Sequence, residues 1–182
     1  RNAMNVYSLG FTTQQTIDAV TLFSNSHEND NGDSVDNAES GALPDTTLNA
    51  SIVRLRNQVN QTGVKVGYEP DFLLTSNSGH KNGMVVAKSV LRSGTGNNDL
   101  NYYSELYPGM KVVYNQFLDD TSTVAYFIGS AGHGVTRFER EAFFTNLVDW
   151  QTQENDVYIY KLRAREEVDS IEYSGLVGST GL

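Results

Sequence analysis

Apolar positions along this chain follow two periods, and the alternation between them predicts its elements. Leu48, Ile52, Leu55 and Val59 fall at i, i+4, i+7 and i+11, one stripe of a helix over 46–62. Asp45 or Thr46, just after Pro44, supplies an N-cap oxygen, and Gly63 suits the position after the last turn. Arg54, Arg56, Asn57 and Gln58 fall on its solvent faces. A second helix is predicted over 80–92, with Met84, Ala87 and Val90-Leu91 inward and Gly94 as the stop. A short one is expected near Gln14–Val20, after the possible caps Thr12 and Thr13.

The period-2 segments read as strands. Val64, Val66 and Tyr68 alternate with Lys65 and Gly67, Pro70 interrupts, and Phe72-Leu73-Leu74-Thr75 resumes as a short buried strand. Met110–Tyr114 and Val124–Gly129 follow, separated by a turn at Asp119–Ser122. Gly129, Gly132 and Gly134 then break the chain. Val135–Phe144, Asp156–Arg165 (with Val157, Ile159 and Tyr160) and Ser170–Tyr173 make the remainder β-rich, and Gly175–Gly181 reads as a flexible tail. Two polar stretches, 24–46 and 93–109, read as long loops. Few helices, many short strands and no regular alternation give the class α+β.

With 182 residues, 38% of them apolar and 10% aromatic, the chain has material for one substantial domain or two small lobes. A net charge of −9, with 13 basic residues scattered among 22 acidic ones, argues against direct or sequence-specific nucleic-acid binding. The absence of cysteine excludes disulfides, thiolate zinc sites and cysteine nucleophiles. No apolar run approaches the roughly 18 residues of a membrane span, and no signal-peptide pattern opens the sequence. Asn49-Ala50-Ser51 and Asn60-Gln61-Thr62 match the glycosylation acceptor and read as chance. The abrupt opening Arg1-Asn2-Ala3-Met4 reads as that of a fragment.

Motifs for catalysis or metal binding are sparse. His27, His80 and His133 stand apart in sequence. His27 neighbours Glu28, Asp30 and Asp33, but the spacing fails the calcium-loop pattern, in which Ala38 would have to be the twelfth ligand. Ser130 and His133 share a Gly-rich stretch better read as turn chemistry than as nucleophile and base. Its glycines fail the dinucleotide fingerprint, and neither a nucleophile elbow nor a Walker motif occurs. The carboxylates Glu139, Glu141, Glu154, Asp156, Glu166, Glu167 and Asp169 read as a solvated face. No enzyme, metal or cofactor is expected.

The order of segments resembles the major capsid proteins of tailed bacteriophages, the Hong Kong 97-like fold, in the branch with Mu-like head subunits and protease–capsid fusions. Asp18-Ala19-Val20-Thr21-Leu22-Phe23-Ser24-Asn25-Ser26-His27 is similar to that branch's signature of an aspartate, Leu-Phe, a small residue and His. The helix Thr47–Gln58, then Tyr68-Glu69-Pro70-Asp71-Phe72-Leu73-Leu74, Ala87–Leu91, Met110–Tyr114 and Leu118-Asp119-Asp120 follow in the family's order. Tyr160–Arg165, Tyr173-Ser174-Gly175 and Gly178–Gly181 look like its closing strands and tail.

The resemblance implies the C-terminal portion of such a subunit, lacking the N-terminal arm and extended loop. Residues 1–11 would end a spine helix, within a peripheral segment 1–45. Residues 46–135 would form the axial domain, and 136–182 the peripheral return strands and tail. It implies pentamers and hexamers enclosing a DNA genome in a virion assembled in the bacterial cytoplasm. The partners would be other copies, with scaffolding, portal and decoration proteins, and no membrane. The parent would close shells that this chain alone does not. Tyr102, Tyr103 and Tyr107 are candidate intersubunit contacts, or pack locally. Arg163 and Arg165, with Glu166 and Glu167, serve intersubunit ion pairs or an intramolecular strand face. An encapsulin-type compartment on the same fold, and an unrelated α+β hydrolase or binding module with 24–45 as a lid, are the alternatives.

Overall fold

The structure, a computed structural model, describes residues 3–43, 45–92, 99–148 and 159–181. Pro44, Gly94 with the rest of 93–98, and Val157 within 156–158 lie outside them. The class is α+β. In chain order the elements are α1 (Ala3–Leu9), β1 (His27–Glu28), β2 (Ser34–Val35), β3 (Ala38–Glu39), α2 (Asp45–Asn57), β4 (Phe72–Ser76), α3 (His80–Lys88), α4 (Tyr102–Leu106) and β5 (Lys111–Asn115). A 3-10 turn (Gln116–Asp120), β6 (Tyr126–Gly129), β7 (Val135–Val148), β8 (Ile159–Ser170) and β9 (Leu176–Ser179) complete them.

A mixed sheet in the order β3-β9-β6-β4-β5 is the centre. Its pleat divides the apolar residues between two cores. Leu73, Tyr126, Ile128 and Val177 face Leu48, Ile52 and Leu55 of α2, with Ala87, Tyr103, Tyr107 and Met110. Leu74, Phe127 and Leu176 face the other way, onto Leu22, Phe23 and Leu118. Burying each such side chain contributes roughly 1.5–3 kcal/mol, so this alternation sets the strand register.

The stripe Leu48–Ile52–Leu55 is buried as expected, but α2 stops at Asn57 and Val59 is not part of it. Gln58 instead turns its side chain to the Leu176 carbonyl and the Gly175 N–H, at 2.8 and 2.7 Å. Gly63, at φ 80°, belongs to a separate turn in which the Asn60 side chain accepts from the Thr62 and Val64 N–H groups. The strand expected over 64–68 therefore reduces to a single bridge, Val59 with Lys65, and Val64 and Val66 are exposed. Local capture of backbone donors by Asn60 defeats the apolar alternation.

Helix α3 also ends early, at Lys88, and buries only Ala87 of the face expected to point inward. Gly83 and Ala87 are buried while Met84, Val90 and Leu91 are exposed. A Cβ on Gly83 would lie 2.7 Å from the Thr75 side chain, so smallness sets this contact. The helix expected at Gln14–Val20 is a turn, and the chain is helical at Ala3–Leu9 instead. Within 93–109, the residues from 99 contain α4, capped by Asn101, whose side chain accepts from the Tyr103 N–H at 3.1 Å. The 119–122 turn begins inside the 3-10 helix.

The largest departure is at the C-terminus. The segment read as a flexible tail is β9, buried throughout, parallel to β3 and antiparallel to β6. The strand expected at Ser170–Tyr173 is a bend and turn between β8 and β9. Strands β7 and β8 extend beyond their expected ends, to Val148 and Ser170, and pair with each other outside the central sheet.

Candidate functional site

The loop after α1 folds around a buried imidazole. Asp18 lies in a turn that places Ala19 at φ 62°. Its carboxylate accepts from the Thr16 hydroxyl and, at 3.1 Å, from the Val20 N–H. Its second oxygen meets Nδ1 of His27 at 2.6 Å. His27 is fully buried; its Nε2 donates to the Leu22 carbonyl at 3.2 Å, and its ring stacks on Tyr173 with centroids 4.3 Å apart. Asn37, also buried, donates to the Leu22 and Tyr173 carbonyls at 2.7 and 3.2 Å and accepts from the Ser24 N–H. Burial pushes the Asp18 carboxyl up, but the bonds from Thr16, His27 and Val20 outweigh it and hold the group below its usual range.

A general base needs a nitrogen free to reach a substrate proton. Here both imidazole nitrogens are occupied, one by a carboxylate and one by a backbone carbonyl, inside the protein. The pair therefore acts as a clamp joining residues 18–37 to the Tyr173 segment. His27 turns to Asp18 and away from the alternative set of Glu28, Asp30 and Asp33. Among the described residues no group of three or more His, Asp or Glu side chains is arranged to hold a metal ion.

Ser130 and His133 are engaged separately. Ser130 donates its hydroxyl to Asp71 at 3.3 Å, and the Ala131 N–H donates to the same oxygen at 2.6 Å. His133 accepts the Val135 N–H on Nδ1 at 3.2 Å and packs edge-on against Phe72 and Tyr7. Burial pushes the His133 imidazole below its usual range. The third histidine, His80, lies edge-on to Tyr114 at 5.7 Å.

The three tyrosines part company. Tyr103 and Tyr107 are buried in the helix-side core of this chain, Tyr103 donating its hydroxyl to the Asp45 carbonyl at 2.8 Å. Arg56 sits over the Tyr107 ring, 5.4 Å from its centroid. Burial raises both phenols, Tyr107 to about 12. Only Tyr102 of the three presents an exposed ring.

Arg163 and Arg165 lie on β8, both reaching Glu141 across the hairpin, at 3.0 and 3.5 Å. Arg137 bridges Glu139 and Glu166 at 2.7 and 2.6 Å. All these groups are substantially exposed, so each pair contributes at most about 1 kcal/mol. The base of the hairpin is tied down by Gln14, which donates to Asp169, and by Ser170, which donates to the Gln15 carbonyl at 3.0 Å. Farther out, Phe138, Phe143, Phe144, Leu147, Tyr160 and Leu162 are all exposed.

Register assigns Leu147, Tyr160 and Leu162 to one face and Phe144 to the other, so the ribbon is apolar on both sides. An isolated two-stranded ribbon is marginally stable in water, and a contiguous apolar surface marks a binding site. The signal was present in the sequence as poor alternation over Ala142–Val148. No helix among the described residues is long and apolar enough to cross a membrane. No protein-family model matches the chain, and no curated protein matches it.

Proposed function

We propose that this chain is the C-terminal portion of a tailed-bacteriophage major capsid protein of the Hong Kong 97-like fold. It acts as a structural subunit that tiles against copies of itself around a DNA genome. The observation that carries this reading is the β7–β8 ribbon, whose aromatic and aliphatic side chains stand in solvent on both faces. Such a surface suits a protein neighbour better than a small substrate. The resemblance adds support at a particular point: the first and last residues of its Asp18…His27 signature bond directly and pin the loop to the core. In this reading the axial lobe is 46–135, with β3 and β9 completing its sheet, and the ribbon belongs to the peripheral return strands.

Light scattering with negative-stain microscopy of the purified chain tests the proposal. Concentration-dependent association into open oligomers is expected. A monodisperse monomer up to millimolar concentration, where even weak contacts form, refutes it. Closed particles would instead refute the expectation that the arm and extended loop are needed for closure.

A further inference from the structure

Strand β8 is bonded to β7 along one edge, and among the described residues no strand pairs with its other edge. Natural edges are commonly blunted by bulges, prolines or charged side chains, and of these β8 carries only the charges, which repel an arbitrary partner but admit a complementary one. In this hairpin both register slips, between Glu139 and Glu141 and between Glu141 and Phe144, put the extra residues in β7. Strand β8 has no bulge, proline or glycine over Ile159–Ser170.

Its charges change sign midway. Lys161, Arg163 and Arg165 precede Glu166, Glu167 and Asp169. Arg163 and Arg165 share one carboxylate, Glu141, so among the described residues the distal half of β8 keeps a positive surplus. Glu166 shares Arg137 with Glu139, so the proximal half keeps a negative one.

We propose that β8 pairs edge to edge, antiparallel, with β8 of a second copy across a two-fold axis, forming a four-stranded ribbon. The occupant follows from the polarity of the strand. Parallel pairing would set like charge on like. Antiparallel pairing centred on Arg165 sets Arg163 of each copy opposite Glu167 of the other, Lys161 opposite Asp169, and Leu162 opposite Val168. This register keeps each pair on one face of the pleat, as a two-fold axis normal to the sheet requires. The only like pair, Arg165 with its copy, is offset by Glu141 on each side.

Pairing along this edge buries on the order of 1,000 Å² in total, near the lower limit for a specific contact. The pairing is therefore weak, sensitive to salt, and suited to one joint among several in a larger assembly. This inference rests on the self-tiling reading and names the strand that does the joining.

Sedimentation velocity of the whole chain at low salt, over a concentration series, tests it with Arg163→Glu and Glu167→Lys. Circular dichroism checks that both variants fold. Each variant alone is expected to self-associate at least about tenfold more weakly, because Glu or Lys then meets its like across the axis. An equimolar mixture is expected to regain the wild-type affinity, since the two reversed charges face each other. Wild-type association in the single variants, or a mixture as weak as either alone, overturns the β8 pairing while leaving self-tiling through another surface intact. A wild-type chain that never associates sinks the self-tiling reading as well.

Discussion

Replacing His27 by alanine removes three contacts at once: the 2.6 Å bond to Asp18, the 3.2 Å bond to the Leu22 carbonyl and the stacked face of Tyr173. A buried hydrogen bond to a charged group contributes about 1.5–3 kcal/mol, and an aromatic stack about 0.5–1.5 kcal/mol. The Leu22 carbonyl keeps its Asn37 donor, so little is added there. The expected loss is about 2–4 kcal/mol, measured by urea unfolding under circular dichroism at neutral pH. Asp18→Asn provides the comparison. The amide keeps the shape and a hydrogen bond to Nδ1 but gives up the charge, so the loss is smaller, about 1–2 kcal/mol.

The two substitutions also differ with pH. The folded-state shift of Asp18 is downward, so its contribution is complete above the unfolded value near pH 4 and disappears as pH falls through the folded value. The gap between wild type and Asp18→Asn therefore closes on acidification. A His27→Ala loss below about 0.5 kcal/mol, the scatter of ordinary surface substitutions, refutes the clamp. So does a gap to Asp18→Asn that stays constant down through the acid range.

Gly178→Val is expected to destabilise by about 1–3 kcal/mol in the same assay, because a Cβ would lie 2.7 Å from the Phe23 ring and 2.9 Å from Phe11. Removing residues 176–182 is expected to abolish cooperative unfolding, since β9 lies between β3 and β6; a truncated chain with a native melting curve would contradict this. Burial raises Tyr7 and Tyr107 to about 12, so stability is full below pH 10 and falls as pH rises toward 12, which ultraviolet titration alongside unfolding would follow. The double substitution Tyr160→Ser with Leu162→Ser is expected to change folding stability by under about 0.5 kcal/mol while weakening self-association, because both side chains are already solvated.

The sequence alone determined the elements whose apolar residues carry a period of their own. The α2 stripe of Leu48, Ile52 and Leu55 and the short strand Phe72–Thr75 were legible because local pattern and burial agree. The α+β class followed from them. Local side-chain chemistry overrode the pattern at Asn60 and Asp18, whose oxygens capture backbone donors and make turns where a strand and a helix were expected. On α3 Ala87 was legible as inward but Gly83 was not, because a glycine carries no apolar signal though its Cα side packs against Thr75 of the sheet.

Tertiary structure alone decided β9 and the Asp18–His27 clamp. The segment Leu176–Ser179 is punctuated by Gly175, Gly178 and Gly181 and so does not announce a strand; it becomes one because β3 and β6 supply its hydrogen bonds from distant parts of the chain. His27 gained its role in the same way, from Tyr173 far along the sequence and from a turn that brings Asp18 within reach. Periodicity reports which side of an element is apolar, whereas partners depend on where the chain returns, and only closure of the sheet settles that.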